Sequence, residues 1–209
     1  MESNRVKLLE LVHERIIHPA RVRNLTRGLG DLLPHGASLL DVGCGDGSMA
    51  ALLRDQCGLS RVEGVDVLVR DDVAIPVRQF DGRHLPWPDR SWDYVMAVDV
   101  LHHAVDQRAL LGDMLRVARR AVVLKDHLCE TAFDRWMLLK MDGVGNDRHG
   151  VAVPGHYLSR VQWEGLFGEL GATVETFCDR VRIYPWPLSL VFGRGLHCLY
   201  CVRPTDAAH

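Results

Sequence analysis

One short run constrains this chain more than any other: Leu39-Leu40-Asp41-Val42-Gly43-Cys44-Gly45-Asp46-Gly47-Ser48. An apolar strand breaks into a glycine turn, and a helix opens at Ser48. Gly43, Gly45 and Gly47 carry no Cβ, so the backbone can take positive φ and a ligand can lie directly against it. The turn also aims the first N–H groups of the following helix at whatever binds there, which suits an acidic or strongly polar ligand group. The spacing is Asp-x-Gly-x-Gly-x-Gly, whereas nicotinamide and flavin sites space their glycines as G-x-G-x-x-G.

The segments that follow read as a doubly wound α/β unit. A helix from Ser48 to about Asp55 leads to a second strand, Arg61–Asp66. Its terminal acid stands about twenty residues after the glycines, where such sites place a ribose acceptor; an acid there also suits a turn or a cap. Between Val67 and Pro76 there is little room for a crossover helix. Val77–Phe80 then reads as a short third strand that ends in Asp81-Gly82. Tyr94–Val98, an apolar run without alternation, reads as a fourth strand buried on both faces, and it closes on Asp99-Val100-Leu101-His102-His103. A helix over Gln107–Arg119 and a fifth strand over Ala121–Lys125 follow, with Asp126-His127 beyond the strand end. Ligands in such sheets bind outside the carboxyl ends of the strands, so two acids and up to three imidazoles face one place.

The glycine turn with Asp41, the acids at Asp66 and Asp81, the Leu85–Asp93 turn and the Leu-His-His ending together resemble the class I S-adenosylmethionine-dependent methyltransferases. The resemblance is strongest from Leu39 to His103 and weaker from Ala121 to His127. It implies a doubly wound, Rossmann-like sheet of strand order 3-2-1-4-5-7-6 with an antiparallel last strand, and S-adenosyl-L-methionine as cofactor. Asp41 is then expected to hold the ammonium of the donor, Asp66 the ribose and Asp81 the adenine amino group. Gly43, Cys44, Gly45, Gly47, Val67, Gly82, Val98 and His102 complete the expected donor site. Residues 1–33 would form a helical cap over a single domain, and the insertion at residues 128–158 would shape the acceptor pocket. Trp87 is placed either near the adenine or in packing.

Two mechanisms compete for the strand-end residues. A histidine general base is one, with His103 and His127 ranked above His149 because strand ends place side chains more reliably. The other is a divalent cation held by Asp99 and Asp126, as in catechol-type O-methyltransferases. In those enzymes an amide follows the second acid, whereas here His127 stands there, and magnesium prefers oxygen over imidazole. The metal-free base is therefore the expectation, with Asp99 and Asp126 orienting the rings and no metal ligands assigned. The chain lacks an Asn/Asp-Pro-Pro-Tyr/Phe tetrapeptide after the fourth strand, which argues for a small-molecule acceptor over a nucleic-acid base. A nucleotide-binding dehydrogenase and a donor-binding protein without catalysis are the remaining alternatives.

Composition bounds these readings. The chain has 209 residues, 47% hydrophobic and 25% charged, enough for a substantial core, and a net charge of −2 offers no general attraction for nucleic acid or anionic membrane. The first residues alternate charge with apolar side chains and contain no signal-like or membrane-spanning run, so a cytoplasmic protein is expected. Leu8, Leu9, Val12 and Ile16 share one helical face over about Asn4 to Leu33, and Pro19 is expected to divide that segment into two helices. Six cysteines are scattered, and Cys198 and Cys201 on a strand would point their sulfurs to opposite faces. A helix is expected through Phe133, Trp136, Met137 and Met141, then a glycine-rich loop over Gly143–Gly150. Ser159 and Gln162 form a capping box for a later helix, and Ala172–Ile183 with Leu196–Val202 read as the closing antiparallel pair.

Overall fold

The computed structural model describes residues 18–146, 155–181, 183 and 195–205. The described elements are α1 (His18–Gly30), β1 (Ser38–Val42), α2 (Ser48–Cys57), β2 (Arg61–Asp66), β3 (Val77–Gln79) and β4 (Trp92–Val98). They continue with a 3-10 turn (Leu101–His103), α3 (Gln107–Val117), β5 (Ala118–His127), α4 (Ala132–Asn146), α5 (Arg160–Glu169), β6 (Ala172–Cys178) and β7 (His197–Pro204).

The strands form one seven-stranded sheet in the order β3-β2-β1-β4-β5-β7-β6, and only β7 runs antiparallel, to both β5 and β6. The expected sheet order is the observed one. Reversal of order on either side of β1 opens a crevice between β1 and β4 at their carboxyl ends, the usual place for a ligand. From Ala121 to its end at His127, β5 is entirely buried, as a strand covered on both faces must be.

Two apolar layers cover the sheet. On one face Leu25, Leu29 and Leu33 fall at steps of four and pack with Ala50 and Leu53 of α2 against Leu39, Met96 and Val123. On the other, Leu110, Leu111, Met114 and Leu115 of α3 and Trp163 and Phe167 of α5 pack on Val95, Val122, Tyr200 and Val202. Cys198 and Cys201 belong to opposite layers, and all six cysteines are free thiols. Ser159 caps α5 as the reciprocal box: its Oγ accepts from Gln162 N at 3.3 Å, and Gln162 Oε1 accepts from Ser159 N at 2.9 Å.

Several boundaries differ from the sequence reading. Ala118, expected in the last turn of a helix that runs to Arg119, opens β5 because it pairs with Trp92 at the start of a β4 longer than expected. Asp126 and His127 lie inside β5, not beyond it, because β7 continues the ladder to the pairs Asp126 with Cys198 and His127 with His197. Gly143 to Asn146 are helical, so the expected loop does not begin at Gly143. Pro19 sits in the first turn of α1, where its missing N–H breaks no hydrogen bond. The expected helix upstream of it, with Leu8, Leu9, Val12 and Ile16, lies outside the described residues, as does His149. Trp87 packs edge-on against Trp92 with centroids 5.7 Å apart and belongs to the core. Among the described residues no helix is long and apolar enough to cross a membrane.

Candidate active site

The glycine turn adopts the backbone its composition permits: φ is 69° at Gly43, 61° at Gly45 and 74° at Gly47. These values lie in the left-handed region, where a side chain is strained. The three glycines do different work. A Cβ at Gly43 would stand 2.5 Å from Val100 Cγ2, so its absence lets the β1 and β4 ends close up. Gly47, expected to face a ligand, instead packs against Ile75 of the β2–β3 connection, whose side chain would collide with any Cβ there. Gly45 donates its N–H to Asp66 Oδ2 at 2.8 Å, and Leu68 N donates to Asp66 Oδ1 at 3.1 Å. The N–H of Ser48 is capped by Asp46 Oδ1 at 2.9 Å, so the helix start is already partly satisfied by the turn itself.

Between β1 and β4 lies a cavity of about 140 Å³ lined by Arg21, Val22, Asp41, Gly43, Cys44, Met49, Val98 and Asp99. Five of these were expected from sequence; Arg21 and Val22 come from α1 and Met49 from α2. Asp41 is 4% exposed. Burial, with a further push from the Asp66 carboxylate, raises its pKa to about 8. Burial, then the Asp41 and Asp66 carboxylates, raises the Cys44 thiol far above its ordinary value, so it is a neutral wall and not a nucleophile. Beyond the cavity, Val67 and Leu68 are 55% and 65% exposed at the end of β2. Gly82 lies beside Val67, whose Cγ1 would be 3.4 Å from a Cβ at Gly82. Asp81 is exposed and its Oδ1 accepts from the N–H groups of Arg83 and His84 at 2.8 and 2.7 Å. Those two bonds hold its carboxyl below the usual range.

At the carboxyl end of β4, Asp99 takes a left-handed φ of 57°, rare outside glycine. Its carboxylate is bound by the Arg21 guanidinium on one side and by the Lys125 ammonium on the other, and His127 Nε2 lies 4.0 Å away. Lys125 is fully buried and also lies 3.2 Å from His197 Nδ1. Burial alone would raise the Asp99 carboxyl, but Lys125 and then Arg21 outweigh it and hold it well below the usual range. Burial lowers Lys125 against the pull of Asp99. His197, buried and facing the Lys125 ammonium, is held well below the usual imidazole range and stays neutral.

Asp126 points elsewhere. Successive strand residues alternate faces, so Asp126 leaves Lys125 and His127 and meets the 3-10 turn. It accepts from Leu101 N at 3.0 Å and from His102 Nδ1 at 2.7 Å, and its Oδ1 also lies 2.7 Å from His127 N. Burial would raise this carboxyl, but His102 outweighs it and the pKa falls. Asp126 and Asp99 therefore have different partners, which speaks against the alternative of a two-carboxylate cation site. Asp126 is buried and its oxygens are taken up by the 3-10 turn and the backbone, and His102, 2% exposed, lies in a ring cluster and does not line that cavity. That cluster joins His102 to His103 (centroids 4.0 Å apart) and to His127 (4.6 Å), with Tyr157 5.6 Å from His127.

Arg21, Lys125, His197 and Tyr157 went unread in the sequence. Lys125 carried a usable signal, because a lysine in an otherwise apolar buried strand must find a carboxylate. The other three join the site through contacts that span tens of residues.

Residues 12–176 match a family described as a methyltransferase domain. A bifunctional methionine biosynthesis protein MetXA/MetW of Rhodopirellula baltica is 31% identical over 136 residues, 54% of this chain and 22% of that protein. A 2-methyl-6-phytyl-1,4-hydroquinone methyltransferase of Synechocystis is 31% identical over 104 residues, 45% of this chain and 32% of its own. The matched part is thus about a third or less of each of these relatives. Among solved structures, an S-adenosylmethionine-dependent methyltransferase from Mesorhizobium loti superposes with a TM-score of 0.62 at 17% identity, over 85% of this chain and 96% of that one.

Proposed function

The chain belongs to the class I S-adenosylmethionine-dependent methyltransferases, and on that premise we propose that it methylates a small-molecule acceptor with His127 as general base. S-adenosylmethionine is the cofactor; it supplies a methyl group already activated on a sulfonium. The observation that carries the proposal is the meeting of the Asp41 cavity with the Arg21–Asp99–Lys125–His127 cluster at the ends of β1, β4 and β5.

The residues fit the cofactor. Asp41 is an acid with little exposure on the wall of the cavity that Gly43 also lines, and it suits an ammonium. Arg21 is the cation on the same wall and suits the neighbouring carboxylate. Asp66 keeps lone pairs for ribose hydroxyls beyond its two backbone bonds, and the exposed Val67 and Leu68 offer an apolar surface for a base, with Asp81 and Gly82 adjacent. His127 would take the acceptor proton at Nε2. Asp99, kept ionised by Lys125, would stabilise the resulting imidazolium, and Asp126 would hold His102 and the 101–103 turn in place. His103, half-buried on that turn, is the second candidate base. Holding the acceptor in line can supply roughly 7–11 kcal/mol of the barrier. The name of the Synechocystis relative, a hydroquinone methyltransferase, supports a small organic acceptor.

One rival reading has an observation behind it: Asp99, His127 and His197 each offer a ligand atom, all within 4.8 Å of one another, a set that could hold a metal ion. The Lys125 ammonium contacts two of those three groups and already supplies a positive charge there, which favours the metal-free base. Turnover after exhaustive chelation decides: retained activity supports the histidine base, and activity lost in chelator and restored by a divalent ion overturns it.

Two further outcomes are expected. Asp66→Ala should weaken binding of S-adenosylmethionine by about 1.5–3 kcal/mol, the range for hydrogen bonds to a charged acceptor; unchanged affinity by calorimetry refutes the ribose assignment. The second concerns pH. With a pKa of about 8, Asp41 is protonated in the free protein near neutrality, whereas an ammonium ligand needs the carboxylate. Binding then expels a proton, so affinity should rise by up to about tenfold per pH unit below that pKa and level off above it. Calorimetry in buffers of different ionisation enthalpy reads the proton directly. Asp41→Asn should abolish the slope, and a flat pH profile in the unaltered protein would remove Asp41 from the ammonium site.

A further inference from the structure

Apart from the donor cavity, a groove of about 840 Å³ opens between the loop after β3, the loop after β4, the start of α3, α4 and α5. This is the size range of small-molecule pockets, and the groove lies at the carboxyl ends of the strands. Its floor is apolar: Leu158 and Leu166 line it, and Val105 at its rim is 76% exposed. Tyr157 connects it to the reaction site, because the same buried ring lines the groove and packs against His127 and His102. The edge is stitched in place by Gln107, whose Nε2 donates to His156 O at 2.7 Å.

The charge of the lining is uneven. Arg83, Arg108 and Arg135 face Asp106 and Glu169. Glu169 is taken by Arg108 at 3.4 Å, and Asp106 is taken by the start of α3, where its Oδ1 accepts from Ala109 N at 2.9 Å. Arg83 and Arg135 are thus the cations of the groove to which no carboxylate is committed among the described residues. Guanidinium groups over an apolar floor suit a planar anion attached to an apolar body.

We propose that this groove binds the distal, carboxylate-bearing end of the acceptor, with Arg83 and Arg135 on the carboxylate and Val105, Leu158 and Leu166 on the apolar body, while the proximal end passes Tyr157 toward His127. The inference rests on the acceptor reading above and adds a substrate class to it: hydroxylated apolar carboxylic acids. No covalent step is involved.

The test measures binding of a graded series of hydroxylated aliphatic and aromatic carboxylic acids and their primary amides, by calorimetry and with the full chain, in the absence and presence of saturating S-adenosylhomocysteine. The acids should bind at least about tenfold tighter than the matched amides, as expected when a charge-assisted pair is lost. Arg83→Gln with Arg135→Gln should erase that difference while leaving S-adenosylhomocysteine binding unchanged. Gly165 lines the groove and nothing lies within 4 Å of a Cβ there, so Gly165→Phe should fill the groove without disturbing the core and abolish binding of acids and amides alike. Equal affinity of acids and amides, a preference that survives the double arginine variant, or no binding across the series overturns the proposal. Failure of the donor reading shows separately, as a protein that does not bind S-adenosylhomocysteine at all, and the arm without it still tests the groove.

Discussion

Lys125→Met should lower the unfolding free energy by roughly 3–5 kcal/mol, the cost of stripping the partner from a buried charge. For a chain of this length that corresponds to a fall in Tm of about 10 °C. The reason is geometric. Lys125 is fully buried and bonds the carboxylate of Asp99, and without it Asp99 keeps Arg21 from a different element. The pH dependence has a definite sign. Asp99 is held well below its unfolded value, so its contribution is present above the unfolded pKa and is lost as pH falls through the folded one. In Lys125→Met the Asp99 carboxyl should rise, and acid destabilisation should begin at higher pH than in the unaltered protein. Adding Asp99→Asn to Lys125→Met should recover much of the loss, because the penalty belongs to the Asp99 charge that has lost its buried partner. Thermal denaturation of the three variants across the acid range measures this. A loss below about 1 kcal/mol in Lys125→Met would make the pair equivalent to a solvent-screened surface ion pair.

His127→Ala should reduce turnover by about 10²–10⁴-fold, the usual contribution of a positioned general base, with S-adenosylmethionine affinity retained. The limb of the pH–rate profile that belongs to the base should vanish with the side chain. His103→Ala is the discriminating companion. A large loss there with a small one in His127→Ala would transfer the role to the 3-10 turn. Comparable modest losses in both would point to positioning as the main source of catalysis. Lys125→Gln, by contrast, should lower turnover only indirectly, through Asp99, because Lys125 touches neither reacting partner.

The sequence by itself determined the parts of this protein whose causes are local. Glycines at 43, 45 and 47 announce a turn because no other residue adopts those φ values without strain. An acid at the end of β2 and an apolar run at β4 place the crevice because parallel strands must be buried and their loops lie on one edge. Ser159 and Gln162 mark a helix start because their two hydrogen bonds close within four residues. The sheet order came through resemblance to a family, not through periodicity. Tertiary structure alone decided what the acids at 99 and 126 do. In the linear chain both stand beside histidines at strand ends and look alike. Once the strands have assembled, Asp126 inside β5 holds the 3-10 turn, while Asp99 beyond the end of β4 meets cations. Those cations come from 78 and 26 residues away, and His197 approaches Lys125 across 72. Gly47 likewise reads as a ligand glycine until Ile75, which lies nearly thirty positions on, is seen packed against it. Contacts of that kind leave no mark on local propensity, because the burial and charge pairing that create them arise only after the strands have assembled.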